Sequence, residues 1–517
     1  MMRLFIFTVL FVPAAVVFGA GSAEAATKPG SLYPNPAKPA MAAGQAAGQT
    51  PAAEEKMPPR ESATSFAQGY TYYADKDYKD AAQELLAFLS EHTPDDQDYE
   101  WAEFFFGLSL RELGFSHAAV DTLTHVVTRK PNPKIVGYTL ELLETISRTR
   151  PFDRDLLIHR GVCDQSYGFV DSAATDFVHY YQGEYDWEHG LFEWGDEHFS
   201  QIRSGTYYYN KYQFKKALRS LFEGKTDEAI ALLKQIIVNA QDGTALKDDA
   251  RKTLARLYYE KGGFDKADLL YQQIEMNIVE QALTLMERAW AHYRMGNAER
   301  AMGLLYSFEA PSYANSFTPE FYILKSFIYK DVCHYGKAMN TLTLFKERYG
   351  TALENIYDRQ PPQENKAMLL VILNKPRVKR MWHFVNLLDN EHTRVEKALK
   401  DPGLIAYLDK LYALKKEEVK DRFRVLIRDE YEKMADQMLR FEEDAHLMEY
   451  EIGIDMYQRV YDYHYSEKAE EEERADDDLP KVVYEFQGEF WNDELDDYKV
   501  TLPNKCRNTE EWDIFFK

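Results

Sequence analysis

Seven titratable side chains fall within one short stretch of this 517-residue chain. They are Asp186, Glu188, His189, Glu193, Asp196, Glu197 and His198. Histidines and carboxylates at such spacings could bind a divalent metal ion or carry out acid-base chemistry. No established zinc or hydrolase motif accompanies them, and a polar helix surface explains the same residues. We therefore predict no catalytic residues, no metal, no cofactor and no enzymatic activity; a peptidoglycan-active or metal-dependent enzyme is the open alternative.

The elements that must position these side chains belong to a recurring helical pattern. An alanine with apolar partners at fixed offsets recurs at Ala81, Ala119, Ala229, Ala267, Ala301 and Ala338. The intervals are 34 to 38 residues, except for one that is close to three such units. Two-helix tetratricopeptide repeats have this spacing. The sequence predicts an all-α fold: a tetratricopeptide-repeat superhelix followed by a long helical or coiled-coil C-terminal region.

Each repeat would be a hairpin of a leading helix and a second helix, too small to bury its own apolar face. Small residues on the leading helices would let the two backbones approach: Gly69, Gly107, Ala255, Ala289 and Ser326. Larger residues on the second helices would fill the space around each contact: Leu85, Leu123, Leu233, Tyr271, Leu305 and Leu342. Stacked hairpins form a superhelix with a long concave groove. Such a groove is typical of binding proteins.

The groove lining can be predicted from helix geometry, because certain positions of each leading helix point into it. In the last three repeats these are Lys252, Arg256, Tyr259, Trp290, Tyr293, Arg294, Phe327 and Lys330. Aromatic anchors among lysines and arginines suit an extended peptide or helix with some acidic character. The alternative is that Trp290 and Phe327 pack between adjacent hairpins.

Composition limits the class of partner. The formal net charge is -23 at pH 7, whereas nucleic-acid binding depends on clustered lysine and arginine. Nucleic acid and anionic membrane surfaces are therefore poor candidates. We expect the partners to be envelope proteins that present a peptide or a helix.

The N-terminus predicts export. A short basic start, Met1 to Arg3, precedes an apolar run, Leu4 to Ala20, and a small-residue cleavage signal, Ala23 to Ala25. This is typical of a secretory signal peptide. An uncleaved membrane anchor is the alternative; after cleavage we expect no direct membrane span. The predicted location is the periplasm, with an association with the outer membrane through partners.

Five segments follow from these patterns. Residues 1–25 are the signal peptide, 26–62 a disordered linker rich in alanine and proline, and 63–350 the superhelix, in which the repeat period fades over 131–204. Residues 351–475 form a helical or coiled-coil region, and 476–517 an acidic hinge and an aromatic docking tail.

Apolar residues in the C-terminal region step by four and three residues from Ile427 to Ile452. The series is Ile427, Tyr431, Met434, Met438, Phe441, Ala445, Met448 and Ile452. This is a heptad seam. It predicts either a homodimeric coiled coil through 427–452 or a helix that folds back onto the superhelix.

The last segment carries apolar anchors and the third of three cysteines. Phe486, Phe490, Trp491, Leu495 and Tyr498 are expected to dock, within this chain rather than on a partner. Cys163, Cys333 and Cys506 are widely spaced and indicate no disulfide framework. The sequence favours buried thiols, with a single Cys163 to Cys333 bridge as the alternative.

Two parts of the chain resemble a known group of proteins. The motifs are Arg288-Ala289-Trp290, Phe317-Thr318-Pro319-Glu320 and Tyr335-Gly336-Lys337-Ala338, together with the tail from Gly488 to Cys506. They resemble the tetratricopeptide proteins of the adventurous gliding motility protein T type, over most of the chain from about Ala63. The resemblance implies a periplasmic scaffold of a trans-envelope gliding machinery in myxobacteria and their relatives. A general envelope-assembly factor is the alternative.

Overall fold

The computed structural model describes residues 64–96, 98–170, 172–241, 244–274, 278–313, 317–465 and 498–506. The signal peptide, the linker and the acidic block after the long helix lie outside these ranges, as do Phe486, Phe490, Trp491 and Leu495. The described residues contain helices and no strand. No described helix is both long enough and apolar enough to cross a bilayer. The predicted all-α class is confirmed.

Helical hairpins make up the described residues between 64 and 357. They are α1 (Thr64–Ala74) with α2 (Tyr78–Glu91), α3 (Tyr99–Glu112) with α4 (Ser116–Arg129), α5 (Pro133–Thr149) with a π-helix (Asp155–Cys163), α6 (Thr175–Glu188) with α7 (Phe192–Ser200), α8 (Tyr207–Phe222) with α9 (Thr226–Asn239), α10 (Ala245–Glu260) with α11 (Phe264–Tyr271), α12 (Ile278–Arg294) with α13 (Ala298–Tyr306), and α14 (Pro319–Asp331) with α15 (Tyr335–Tyr357). Short 3-10 turns, Ser307–Glu309 and Pro311–Tyr313, follow α13.

The predicted contact between small and large residues holds these hairpins together. A Cβ on Gly69 would lie 2.8 Å from Leu85, and one on Gly107 would lie 3.0 Å from Leu123. All six recurring alanines are fully buried. A Cβ at either glycine would therefore crowd the facing leucine side chain, so the predicted contact between a small and a large residue is observed in these two hairpins.

In seven of the eight described hairpins, all except that of α5 and the π-helix, a left-handed residue lies two positions before the second helix. Gly114, Gly224, Gly262 and Gly296 occupy this position with φ between 76° and 80°. Glycine suits it because it has no Cβ. Gly190, with φ 77°, occupies the same position before α7. The segment from Thr175 to Ser200, in the divergent part of the array, therefore folds as a hairpin of the same type.

In the part of the chain that the structure describes, the array is followed by α16 (Lys366–Asn374), α17 (Pro376–Ala398) and α18 (Pro402–Tyr465). The first part of α18 packs on the early hairpins, where the rings of Tyr407 and Phe106 lie 5.8 Å apart. The seam residues Met434, Met438 and Met448 are buried against α14, α15 and α16. One helix of 64 residues therefore connects the beginning of the array to its end.

The position of the seam distinguishes the two predicted arrangements of 427–452, a homodimeric coiled coil and a helix that folds back onto the superhelix. Within the described chain, the heptad face of α18 packs in the same core as Ala338, Leu342 and Phe345 of α15. A homodimeric coiled coil through 427–452 would need this face to be free. The fold-back alternative is the one observed, because the last hairpin exposes an apolar surface that the methionine-rich seam covers.

Candidate functional site

Residues predicted to line the groove join successive leading helices of the array. The Arg256 guanidinium on α10 lies 2.5 Å from the Glu287 carboxylate on α12. On α12, the Trp290 indole Nε1 donates a hydrogen bond of 2.8 Å to Glu320 of α14. The sequence predicts that Arg256 and Trp290 face a partner. In the structure, the polar groups of both side chains bind a glutamate of the next hairpin.

The same pattern continues to the long helix. The Tyr293 hydroxyl donates to Asp331 of α14, and the Tyr293 ring packs edge-on against Phe327 at 5.5 Å. The Lys330 ammonium lies 2.5 Å from the Glu451 carboxylate on α18. The end of the groove surface on α14 is therefore in contact with α18 of the same chain.

Two other residues of the predicted lining make aromatic contacts. Tyr259 is buried, with its ring 5.1 Å from that of Phe264. The Arg294 guanidinium lies 5.3 Å from the Phe264 ring centroid. Arg294 is the one exposed member of the predicted eight, and Lys252 is partly buried. Partner binding by these eight residues stays a prediction; the contacts observed for them join neighbouring helices of this chain.

A second set of apolar residues, not predicted from the sequence, lies on the solvent side of α18. Leu447, Tyr450, Ile454 and Tyr457 are 52%, 69%, 36% and 71% exposed. They step by three, four and three residues, and we call them the α18 stripe. The spacing places them on one face of the helix, opposite the buried seam. The spacing of the stripe is visible in the sequence, but the seam has the same spacing. Only the packing of α18 on the array shows which of the two faces is buried and which is exposed.

A shallow groove adjoins the N-terminal end of the stripe. It has a volume of about 300 Å³ and is lined by Tyr357 of α15 and by Leu439, Glu442, Glu443, His446 and Leu447 of α18. The Tyr357 hydroxyl donates to Glu442. Apolar and acidic side chains therefore meet beside the stripe.

The stripe has an acidic border. Between residues 440 and 459 the chain carries six carboxylates, Glu442, Glu443, Asp444, Glu449, Glu451 and Asp455, against two arginines, Arg440 and Arg459. Burial, together with the neighbouring Glu443 charge, raises the pKa of Asp444. The Arg459 guanidinium is also engaged, since it donates to the Cys506 carbonyl at 2.7 Å. Lys346 pairs with Glu449, and Lys330 pairs with Glu451, so the negative charge left beside the stripe is concentrated at Glu442, Glu443 and Asp444, near its N-terminal end.

The seven clustered acids and histidines lie on the hairpin of α6 and α7 and divide among separate contacts. Asp196 accepts a hydrogen bond of 3.1 Å from the Trp187 indole. The imidazole of His198 lies 3.8 Å from the Asp186 carboxylate, and burial raises the pKa of Asp186 to about 6. Five of the seven are exposed: Glu188, His189, Glu193, Asp196 and Glu197. In the described ranges no three His, Cys, Asp or Glu side chains converge as a metal site would require.

The C-terminal segment 498–506 docks on the last two hairpins. Val500 N donates to the Glu299 carbonyl at 3.2 Å, and Lys505 N donates to the Val332 carbonyl at 3.0 Å. Leu502 is buried in the core formed by α12, α13 and α14. For the part of the predicted docking tail that the structure describes, docking within the chain is therefore observed.

A disulfide fixes this segment and corrects the sequence-based cysteine assignment. Cys333 is bonded to Cys506, with Cα atoms 5.0 Å apart, whereas Cys163 is free. The preference for thiols is wrong for Cys333 and Cys506, and a Cys163 to Cys333 bridge is excluded. Cys333 occupies the left-handed position of the turn before α15, with φ 63°, where the docked segment passes. Only the fold brings the two sulfurs together.

Comparisons with known proteins give matches among solved structures. No protein-family model matches the chain, and no curated protein matches it. The apo form of RapI is similar with a TM-score of 0.31 and 10% identity, covering 72% of this chain and 98% of that chain. A Rap protein complexed with Competence and Sporulation Factor is similar with a TM-score of 0.25 and 11% identity, covering 70% of this chain and 98% of that chain. The assignment of the fold as a helical-repeat superhelix therefore rests on the hairpins described above.

Proposed function

We propose that this chain is a non-enzymatic scaffold that binds partner proteins in the cell envelope, and that the α18 stripe is its principal docking surface. The observation that carries the proposal is a row of large apolar side chains on the outside of a helix that is held rigidly along its other face. Contiguous exposed apolar surface is typical of protein-interaction sites. Tyrosine is among the residues that contribute most to binding energy at such sites.

The chemistry of the stripe indicates the kind of partner. Apolar residues in heptad spacing pair well with the apolar face of another helix. The carboxylates along the border favour lysine and arginine beside that face. A second copy of this chain fits poorly, because it would bring the same carboxylates to the same border. We therefore propose an amphipathic partner helix with basic flanks.

The proposed location is the periplasm. The signal-peptide pattern of residues 1–25 supports it, and so does the Cys333–Cys506 disulfide, because disulfides persist mainly in oxidising compartments. The resemblance to the adventurous gliding motility protein T type supports a role in a trans-envelope machine. The proposal has two versions: a scaffold of a gliding machinery, and a factor in general assembly of the envelope.

Site-specific crosslinking tests the docking surface. A photoreactive amino acid replaces Tyr450 in the stripe, or Tyr138, which is 51% exposed on α5, as the matched control. We expect a discrete crosslinked partner from position 450 and none from position 138. Identical products from both positions would contradict the proposal, and a crosslinked dimer of this chain would replace the partner helix with a second copy.

Fractionation tests the location independently of docking. N-terminal sequencing of the mature protein should begin near residue 26, in the periplasmic fraction. An intact N-terminus recovered solely from the cytosol would overturn the proposed location and leave the docking result unaffected.

A further inference from the structure

Two basic side chains bind one buried carboxylate in the divergent part of the array, and further cations lie near this pair. Arg154 of the π-helix lies 2.9 Å from Glu184 of α6, and Lys215 of α8 lies 2.5 Å from the same carboxylate. Burial by itself would raise the pKa of Glu184, but the charges of Lys215 and Arg154 lower it to about 2. Glu184 is therefore ionised, and it forms ion pairs with both of these cations.

Lys211, one turn before Lys215 on α8, has a different environment. Its ammonium lies above four tyrosine rings, with the nitrogen 4.4, 5.1, 5.7 and 5.9 Å from the ring centroids of Tyr180, Tyr181, Tyr207 and Tyr208. Within the described part of the chain no carboxylate forms an ion pair with it. Burial lowers the pKa of Lys211 to about 8, against the opposing charge of Glu184, and the nearby charges of Lys215, Arg154 and Arg380 lower it further.

Arg380 of α17 is close enough for its charge to lower the pKa of Lys211, and it completes what we call the cation cluster (Arg154, Lys211, Lys215 and Arg380). It is exposed, and no carboxylate of the described ranges forms an ion pair with it. Burial of its guanidinium and the charge of Arg154 lower its pKa. Glu188 is a second carboxylate near the cation cluster, 3.9 Å from Arg154 and 3.8 Å from Lys215. The four cations therefore have two carboxylates near them, Glu184 and Glu188.

The cation cluster is open to solvent on one side. Tyr180, Tyr181 and Tyr208 form a floor that is buried, whereas Tyr207 is 43% exposed and the Arg154 side chain is 49% exposed. Lys211 and Arg154 share the Tyr181 ring, with the Arg154 guanidinium 5.8 Å from its centroid. A ligand that enters above this ring would meet both cations together.

We propose that Lys211, Arg380 and Arg154 form a binding site for a ligand whose negative charge is carried by carboxylates, such as an acidic segment of a polypeptide. Glu184 already demonstrates the geometry, since one carboxylate bridges two members of the cation cluster. A ligand carboxylate would supply Lys211 and Arg380 with the anion that the described chain does not provide. This surface differs in place and in charge from the acidic border of the α18 stripe, so the site adds a second partner chemistry to the proposed scaffold.

Titration with short peptides tests the site on the full mature protein. Hexaglutamate is the probe, and hexalysine and inorganic phosphate are the comparison ligands, each measured calorimetrically at low ionic strength. We expect hexaglutamate to bind and to weaken as salt is added, because screening reduces contacts between charged groups. Failure to bind hexaglutamate, equal binding of hexalysine, or phosphate binding that displaces the peptide would each overturn the assignment.

Two variants connect the binding to these residues. Lys211→Met and Arg380→Gln should each weaken hexaglutamate binding at least about tenfold, because a hydrogen bond to a charged group contributes that much. The matched control is Arg424→Gln, at an arginine that is 74% exposed on α18 and pairs with Asp421. Arg380 is on the surface, so its variant should keep the helical circular dichroism signal. Unchanged binding by a folded Arg380→Gln protein would contradict the proposal.

Acylation of Lys211 gives a second readout. A bound carboxylate favours the charged ammonium and slows its reaction with an acylating reagent, so hexaglutamate should protect Lys211 in a peptide-mapping experiment. Equal acylation with and without the peptide would overturn the site even if the peptide bound elsewhere.

Discussion

The indole of Trp290 and the carboxylate of Glu320 are joined by a hydrogen bond of 2.8 Å between two successive leading helices. Trp290 connects α12 to α14, as the alternative of packing between adjacent hairpins predicts, and partner binding by Trp290 stays a prediction. Burial raises the pKa of Glu320 to about 7, with Glu287 and Asp444 adding to the effect and the indole hydrogen bond opposing it. Glu320 therefore changes its charge near neutral pH while keeping an oxygen that can accept the indole hydrogen bond.

The raised pKa predicts that Glu320 makes the folded chain less stable as the pH rises. The native state holds this proton more tightly than the unfolded chain, whose ordinary value is 4.5, so stability falls between about pH 4.5 and pH 7. Glu320→Gln keeps an acceptor for the indole and removes the charge. At pH 8 we expect it to raise the free energy of unfolding by about 1 kcal/mol, with little effect at pH 4.

Denaturant unfolding at the two pH values measures this difference. The control is Glu347→Gln, at an exposed glutamate of α15, which should change stability at neither pH. A loss of stability in Glu320→Gln at pH 8 would show that the charged carboxylate is the favoured form.

The two apolar faces of α18 should respond oppositely to substitution. Met438 is fully buried in the seam, so Met438→Ala should cost about 2 to 4 kcal/mol in unfolding free energy through lost burial and a cavity. Tyr450→Ser in the stripe should change stability by less than about 0.5 kcal/mol and reduce partner binding. Thermal unfolding and crosslinking measure the two effects; a destabilised Tyr450→Ser protein would mean that the stripe is covered within the chain.

The disulfide should leave one thiol available to alkylation. In the unreduced protein only Cys163 can react, and slowly, because burial raises its pKa. Intact mass after alkylation should show at most one adduct before reduction and three after it. Two or more rapid adducts without reduction would contradict the Cys333–Cys506 bond.

Breaking this bond should also destabilise the last hairpins. Cys506→Ser opens a crosslink between residues 173 positions apart, and disulfides of this kind contribute about 2 to 4 kcal/mol. Cys163→Ser, which breaks no bond, is the matched control. Equal unfolding midpoints for the two variants would mean that the crosslink adds nothing to the docked segment.

Gly303 should be intolerant of a side chain because the docked segment lies directly on it. A Cβ at this position would overlap the carbonyl group of Tyr498. Gly303→Ala should therefore displace the segment and speed its proteolysis. Gly350→Ala on α15, where a Cβ would meet nothing within 4 Å, should leave proteolysis unchanged. Equal protection in both variants would show that the segment does not rest on Gly303.

The repeat could be predicted from the sequence because it depends on contacts between helices that are close together along the chain. A small residue on the leading helix and a buried alanine on the second helix, such as Gly69 and Ala81, recur from unit to unit, and Gly69 lies directly against Leu85. The divergent hairpin of α6 and α7 was harder to identify because its close contact is made differently. There, a Cβ on Gly195 would lie 2.9 Å from the carbonyl oxygen of Gly183.

The amino-acid sequence by itself determined the helices, their pairing into hairpins and the heptad period of the C-terminal helix, because these depend on neighbours within about forty residues. Tertiary structure alone decided which apolar face of α18 is buried, that Trp290 binds Glu320, that Cys333 meets Cys506 and that Lys211 shares a tyrosine ring with Arg154. Each of these contacts joins different helical units. The residue pattern of one helix shows which of its faces are apolar or charged. Only the packing of helices that are distant in sequence determines which residues each face contacts.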